Sequence, residues 1–297
     1  MIEIRTALPA ELVEPLEEWL NEMVRCPWAI DVDAGGAAFQ LAGFFDDATA
    51  AQAAWAELHL AFSALAAPRQ TTLDDRDWKE AYKAHLRPWS EGDLHWVPVW
   101  MKDNYPLPAG HTRLLFDAGL AFGTGDHPTT RLMARRLLDF RAARGQEKFS
   151  VARVIDAGCG SGILALSAAL LGGKNVLAFD RDPEAITVSR ENLAANGLPD
   201  DAVELVNAGL EAALLGRQGD LLLANIQADV LALHADDLAA AIASGGTLAL
   251  SGILAVEVDR VRQAFAPVLE HLWKIRPADQ LGDSRVLGEW CDLVFVR

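Results

Sequence analysis

The stretch Val151-Ala152-Arg153-Val154-Ile155-Asp156-Ala157-Gly158-Cys159-Gly160-Ser161-Gly162-Ile163 decides how the fold is read. A strand-like apolar run, Val151 to Ile155, ends in an acid. Glycines then occupy alternate places, and an apolar segment of helical length, Ile163 to Leu171, follows at once. Such a strand–turn–helix lets backbone amides and a helix N-terminus approach a ligand closely. The spacing is G-x-G-x-G. A dinucleotide fingerprint needs a further glycine where Ile163 stands, and a P-loop needs a lysine, yet no Lys or Arg occurs between Val154 and Gly173. A pyrophosphate beside Asp156 would be repelled, having neither metal nor basic partner. The ammonium and sulfonium of S-adenosylmethionine would instead be stabilised by a carboxylate. The turn therefore predicts a sulfonium cofactor, with Asp156, Gly158 and Gly160 lining its site.

The next apolar run, Asn175 to Phe179, leads to Asp180, where a carboxylate accepts hydrogen bonds from ribose hydroxyls in adenosine-binding sheets. Asp182 precedes Pro183 and is the better helix cap. Cys159 is expected to be a small filler, since no histidine lies near it in sequence to form a thiolate.

Working outward, further buried-strand candidates are Val203 to Asn207, Asp220 to Ala224 and Gly246 to Ser251. Helix-length segments lie between: Pro183 to Asn196, Ala228 to Ala243 and Glu257 to Phe265. This alternation predicts an α/β fold with a parallel sheet covered on both faces. The closing segments, Leu269 to Arg276 and Glu289 to Val296, have no helix between them and are expected to form an antiparallel hairpin, the ending of a seven-stranded, Rossmann-like class I methyltransferase domain. Toward the N-terminus, a strand from Ile2 to Thr6, a helix from Glu11 to about Val24, two strands around Gly35-Gly36 and an alanine-rich helix from Ala48 to Ala66 suggest a smaller α/β domain closed by Pro68. The expected division is a substrate-recognition domain over residues 1–68, a linker with connecting strands over 69–110, and a cofactor-binding domain over 111–297. The tryptophans between Trp78 and Trp100 suit core and interface anchors.

A formal net charge of −16 argues against a broad grip on nucleic acid, which needs a basic face, and suits a basic partner. No run approaches the roughly 18 uncharged apolar residues of a membrane helix. The three cysteines, Cys26, Cys159 and Cys291, are isolated from one another and offer no disulfide framework. The expectation is a cytoplasmic monomer without membrane segment or metal.

Two more segments carry a resemblance: Gly119-Leu120-Ala121-Phe122-Gly123-Thr124-Gly125-Asp126-His127-Pro128-Thr129-Thr130 and Leu223-Ala224-Asn225-Ile226. With D-A-G-C-G-S-G, and with Ser251-Gly252-Ile253-Leu254 and Glu289-Trp290-Cys291, they resemble the PrmA family, methyltransferases of large-subunit ribosomal protein L11. The resemblance runs from about Trp78 to the C-terminus; over residues 1–68 only the general α/β layout corresponds. It implies transfer of methyl groups from S-adenosylmethionine to amino groups of that protein, on lysine side chains and the N-terminal amine. By motif matching, the family's cofactor-binding positions fall on Thr130, Gly158, Asp180 and Asn225, with Phe122 in a loop over the methionine end. Asn225 would position the amine, and His127 would be a hydrogen-bonding support rather than a base. Asp126 stands where the family is often uncharged, and Asp117-Ala118-Gly119 replaces D-P-G. The alternatives are a lysine of another protein as acceptor, or a protein that binds the cofactor without transfer.

Overall fold

The computed structural model describes residues 2–21, 27–32, 39–72, 86–117, 126–274 and 282–297. The chain divides into two compact units, residues 1–85 and 86–297. In the first, strands β1 (Ile2–Leu8), β2 (Trp28–Val32), β3 (Phe39–Phe45) and β4 (Arg69–Thr72) pair antiparallel in the order β2-β3-β1-β4. Along β1, Ile2, Ile4, Thr6 and Leu8 alternate inward, the two-residue period of a half-buried strand. The helix Ala48–Ala61 begins where Asp47 accepts the amide of Ala50 at 2.9 Å. It ends before the expected Ala66. Residues 69–72, expected in the linker, are the fourth strand of this sheet. The turn around Gly35-Gly36 lies outside the described residues.

The second unit opens with a small sheet of β5 (Trp89–Glu91), β6 (Leu94–Pro98) and β7 (Thr112–Phe116). Its main sheet has seven strands: β8 (Arg153–Ala157), β9 (Asn175–Asp180), β10 (Glu204–Asn207), β11 (Gly219–Asn225), β12 (Ile242–Leu254), β13 (Val286–Leu287) and β14 (Trp290–Val296). The order is β10-β9-β8-β11-β12-β14-β13, parallel except for β14. After β8 the chain builds outward to β9 and β10, then crosses back to place β11 on the other side of β8. The crevice at that reversal, beyond the carboxyl ends of the strands, is where such sheets take ligands. Ile155, Leu222, Leu248, Phe265 and Phe295 belong to the core that one face of the sheet buries, each burial worth about 1.5–3 kcal/mol. No helix among the described residues is long and apolar enough to cross a membrane.

Two expectations on the C-terminal side change. Ala228 to Ala243 is not one helix but two, Ala228–Leu233 and Ala235–Ala240, after which β12 starts at Ile242. The buried run Ala241-Ile242-Ala243 pairs with the start of β11, at Ile242 opposite Gly219. Its apolar composition fits either element. Leu269 to Arg276 is not the penultimate strand: Leu269–Trp273 continues the helix Val258–Val268 as a wider π turn, and residues 275 and 276 lie outside the described residues. Leu269, Leu272 and Trp273 stand at helical spacing against the core, and the Trp273 indole donates to the Ala239 carbonyl at 2.9 Å. The hairpin partner of β14 is instead the two-residue β13.

Candidate active site

The glycine turn after β8 is built by backbone. Gly158, Gly160 and Gly162 have φ of +72°, +52° and +76°, a region costly for a residue with a Cβ. The amides of Gly158 and Cys159 both donate to the Phe179 carbonyl, at 2.9 and 3.0 Å, folding the turn over the end of β9. A Cβ placed on Gly158 would lie 2.5 Å from Ile226 Cγ2, and one on Gly252 would lie 2.3 Å from the Ile226 carbonyl oxygen. Ile226, the residue after β11, thus occupies space left by two absent side chains. The missing Cβ atoms join the turn, the end of β11 and the bulge of β12 into one wall.

Asp156 and Asp180 take different positions. Asp156 was expected at the mouth of the turn, but its residue is only 1% exposed and its carboxylate accepts the amide of Ala165 at 3.0 Å. Burial, helped by the negative charge of Asp180 and opposed by that hydrogen bond, raises its pKa to about 7. Asp180 ends β9 half-exposed. One of its oxygens accepts the amide of Gly160 at 3.0 Å and the other the amide of Asp182 at 3.0 Å. Each oxygen keeps lone pairs for a diol. Asp182 caps the helix Pro183–Ala195 by accepting the amide of Glu184 at 2.9 Å, as its place before proline predicts.

Thr130 and Asn225 come together from opposite sides of the unit's sequence. His127 caps the helix Pro128–Arg144: its Nδ1 accepts the amide of Thr129 at 3.4 Å and lies 2.8 Å from that residue's hydroxyl. Thr130 therefore sits inside the first turn, buried, and its hydroxyl meets Asn225 Nδ2 at 3.5 Å. With the amide nitrogen turned to Thr130, the Asn225 carbonyl oxygen is left for another donor. Burial lowers the pKa of His127, with the negative charge of Glu289 opposing, which favours the neutral imidazole that can accept in the cap. Phe122 and its loop lie outside the described residues. The Cys159 thiol is pushed far up by burial, which agrees with its reading as a filler.

Sequence reasoning missed the residues that hold these parts in place. Asn192 accepts the amide of Asp117 at 2.8 Å and donates to the carbonyls of Asp117 and Ser161 at 2.8 and 2.9 Å. Asn196 does the same for Leu115, accepting at 2.8 Å and donating at 2.6 Å. The two amides thus imitate a neighbouring strand along the free edge of β7. The Trp96 indole donates to Ser167 at 2.9 Å in the helix Ile163–Leu170, locking the small sheet to the helix that leaves the turn. Ser251 donates to the Cys291 carbonyl at 2.9 Å, fastening β14 beside the end of β11. An asparagine within a helix, as Asn192, or at its C-cap, as Asn196, carries no signal of distant partners. Gly252 and Ile226 did carry one, as parts of the quoted motifs.

The sequence profile described as ribosomal protein L11 methyltransferase (PrmA) matches residues 21–296. The ribosomal protein L11 methyltransferase of Pelobacter propionicus is 35% identical over 317 aligned positions, which cover 100% of this chain and 97% of that protein. The protein of the same description from Pseudomonas aeruginosa strain LESB58 is 41% identical over 195 residues, 65% of this chain and 62% of its own length. The crystal structure of ribosomal protein L11 methylase from Lactobacillus delbrueckii subsp. bulgaricus aligns with a TM-score of 0.57 and 32% identity, covering 69% of this chain and 94% of that one. The likeness therefore reaches well into the first unit, beyond the part where the motifs are specific. The glycine turn, the acid ending β9 and the threonine–asparagine pair gather at one crevice, and the match is one of sequence over the whole chain and of architecture over 69% of it: the chain belongs to the ribosomal protein L11 methyltransferase (PrmA) family.

Proposed function

We propose that this protein transfers methyl groups from S-adenosylmethionine to amino groups of ribosomal protein L11, on lysine side chains and the N-terminal amine. The observation that carries the reading is the meeting of Thr130 and Asn225, 3.5 Å apart, at the strand edge that also bears Asp180 and the glycine turn. The chemistry of these groups fits the cofactor: a half-exposed carboxylate with free lone pairs suits a ribose diol, and a turn without basic side chains suits a cation better than a pyrophosphate. The cofactor supplies a methyl group on a sulfonium, open to attack by a neutral amine.

In this reading Asp180 holds the ribose hydroxyls, and Gly158 and Gly160 let the backbone lie against the nucleoside. Thr130 offers its hydroxyl to the methionine carboxylate or amine, with Phe122 over that end. Asp156 acts from beneath the turn, its charge felt through the low-dielectric interior and not by contact. Asn225 accepts a hydrogen bond from the substrate amine and aligns its lone pair. Alignment and exclusion of water supply most of what this reaction needs, since a deprotonated amine is already a good nucleophile.

Purified protein incubated with labelled S-adenosylmethionine and unmethylated ribosomal protein L11 is expected to label that protein. Label on a different protein when a methylation-deficient lysate is supplied would move the activity to another lysine. Binding of S-adenosylhomocysteine with no transfer to any acceptor would make this a cofactor-binding protein without turnover.

A further inference from the structure

One border of the crevice has no part in the roles above. The turn between β13 and β14 brings Glu289 and Trp290 to it. The Glu289 carbonyl accepts the amide of Ala255 at 2.8 Å, just beyond β12, and Trp290 pairs with Leu254 at that strand's end. The Trp290 ring meets His127 edge-on at 4.9 Å, and His127 caps the helix that carries Thr130. On the far side, Ser251 stands opposite Asn225 in the register of β11 and β12 and holds the start of β14 through Cys291. Glu289, Trp290 and His127 thus border the edge where Asn225 and Thr130 meet. The Glu289 carboxylate is exposed, Trp290 is half-exposed, and Glu289 has no ion-pair partner among the described residues.

We propose that Glu289, with Trp290 and His127 as the adjoining wall, receives the cationic side chain of the substrate segment and holds it beside Asn225. The inference rests on the methyl-transfer reading and gives that site a specificity-determining residue. An amino group reaches the enzyme as an ammonium, because a free lysine titrates near pH 10.4. A carboxylate without a cation of its own attracts it over roughly a Debye length, about 8 Å at physiological salt. An aromatic ring beside that carboxylate passes the apolar stem of a lysine and favours its charged end. Glu289 acts on binding and orientation, and takes no part in the bond changes.

The test uses the full-length enzyme and its Glu289→Gln and Glu289→Asp variants, with unmethylated ribosomal protein L11 as acceptor and KM and kcat measured separately. S-adenosylhomocysteine affinity is measured by calorimetry. The Gln variant is expected to raise KM for the acceptor about fivefold, the upper size of an exposed ion pair's contribution, with kcat and S-adenosylhomocysteine affinity little changed. The Asp variant should recover most of the loss, and the difference should shrink in high salt. An active wild type with an unchanged KM in the Gln variant overturns the inference alone. So does equal damage in both variants with weakened S-adenosylhomocysteine binding, which would mark a structural turn. No transfer by the wild type overturns the substrate reading and this inference with it.

Discussion

A carboxyl group with one backbone amide as its hydrogen-bond donor and almost no contact with solvent keeps its proton further up the pH scale than it would in water. Asp156 does so to about 7. The sign of the consequence follows from proton counting. Between the ordinary carboxyl value of 3.8 and about 7, the folded chain holds a proton that the unfolded chain lacks, so this residue's contribution to stability falls as pH rises through that window and is level above it. A cationic ligand near the turn favours the ionised form and must displace the proton at lower pH. S-adenosylmethionine affinity is therefore expected to climb with pH from about 5 to about 7, by at most about tenfold per unit for one proton, and then to level off. In Asp156→Asn, which keeps an oxygen for the Ala165 amide, that slope should vanish and binding should be weaker above pH 7. Calorimetry in two buffers of different ionisation enthalpy counts the protons released. A count of zero for the wild type at pH 6 would show that Asp156 does not feel the cofactor.

At the scale of elements, what could be read in advance depended on how local the determining physics was. The turn, the cap at Asp182 and the parallel core strands follow from short-range chemistry: glycine spacing, aspartate before proline, apolar runs of strand length. The β13–β14 hairpin did not, because Val286–Leu287 is two residues long and carries no periodic pattern, while Leu269 to Trp273 is apolar enough to pass for a strand. In the same way the approach of Thr130 to Asn225 was legible only as motif matching, and the clamps on β7 were not legible at all. Those clamps join elements far apart in sequence through Asn192 and Asn196. The carboxamide of Asn192 makes three hydrogen bonds from a residue that is 1% exposed, so Asn192→Ala leaves several buried backbone groups unpaired. The expected loss of stability is about 2–4 kcal/mol, read from urea unfolding. Because Asn192 also holds the Ser161 carbonyl of the turn, S-adenosylhomocysteine affinity should fall in the surviving folded protein. Lost stability with unchanged affinity would confine the clamp to a structural role.

At the scale of the whole molecule, each of the two units carries a core of its own. Ile4, Leu16, Leu41 and Leu58 lie in the first, and the seven-stranded sheet with its helices forms the second. Every position assigned to cofactor binding in the proposed function that lies among the described residues, Thr130, Asp156, Gly158, Gly160, Asp180 and Asn225, belongs to the second unit. Substrate choice is assigned to the first on the expectation that a small domain ahead of a cofactor-binding one selects the protein acceptor. If the two tasks are separable, a chain beginning at Leu86 should fold, since its sheet needs no strand from the first unit, and should bind S-adenosylhomocysteine within about threefold of the full protein. The same fragment should transfer methyl groups to ribosomal protein L11 at least about a hundredfold more slowly in kcat/KM, because the acceptor's residence beside Asn225 would then depend on the crevice alone. Circular dichroism and calorimetry establish the folded, ligand-binding state before the transfer assay is read. A fragment that folds, binds and still methylates the intact acceptor at the full rate would place substrate selection in residues 86–297, and Glu289 with its neighbours would then carry far more of it than one exposed charge is assigned here.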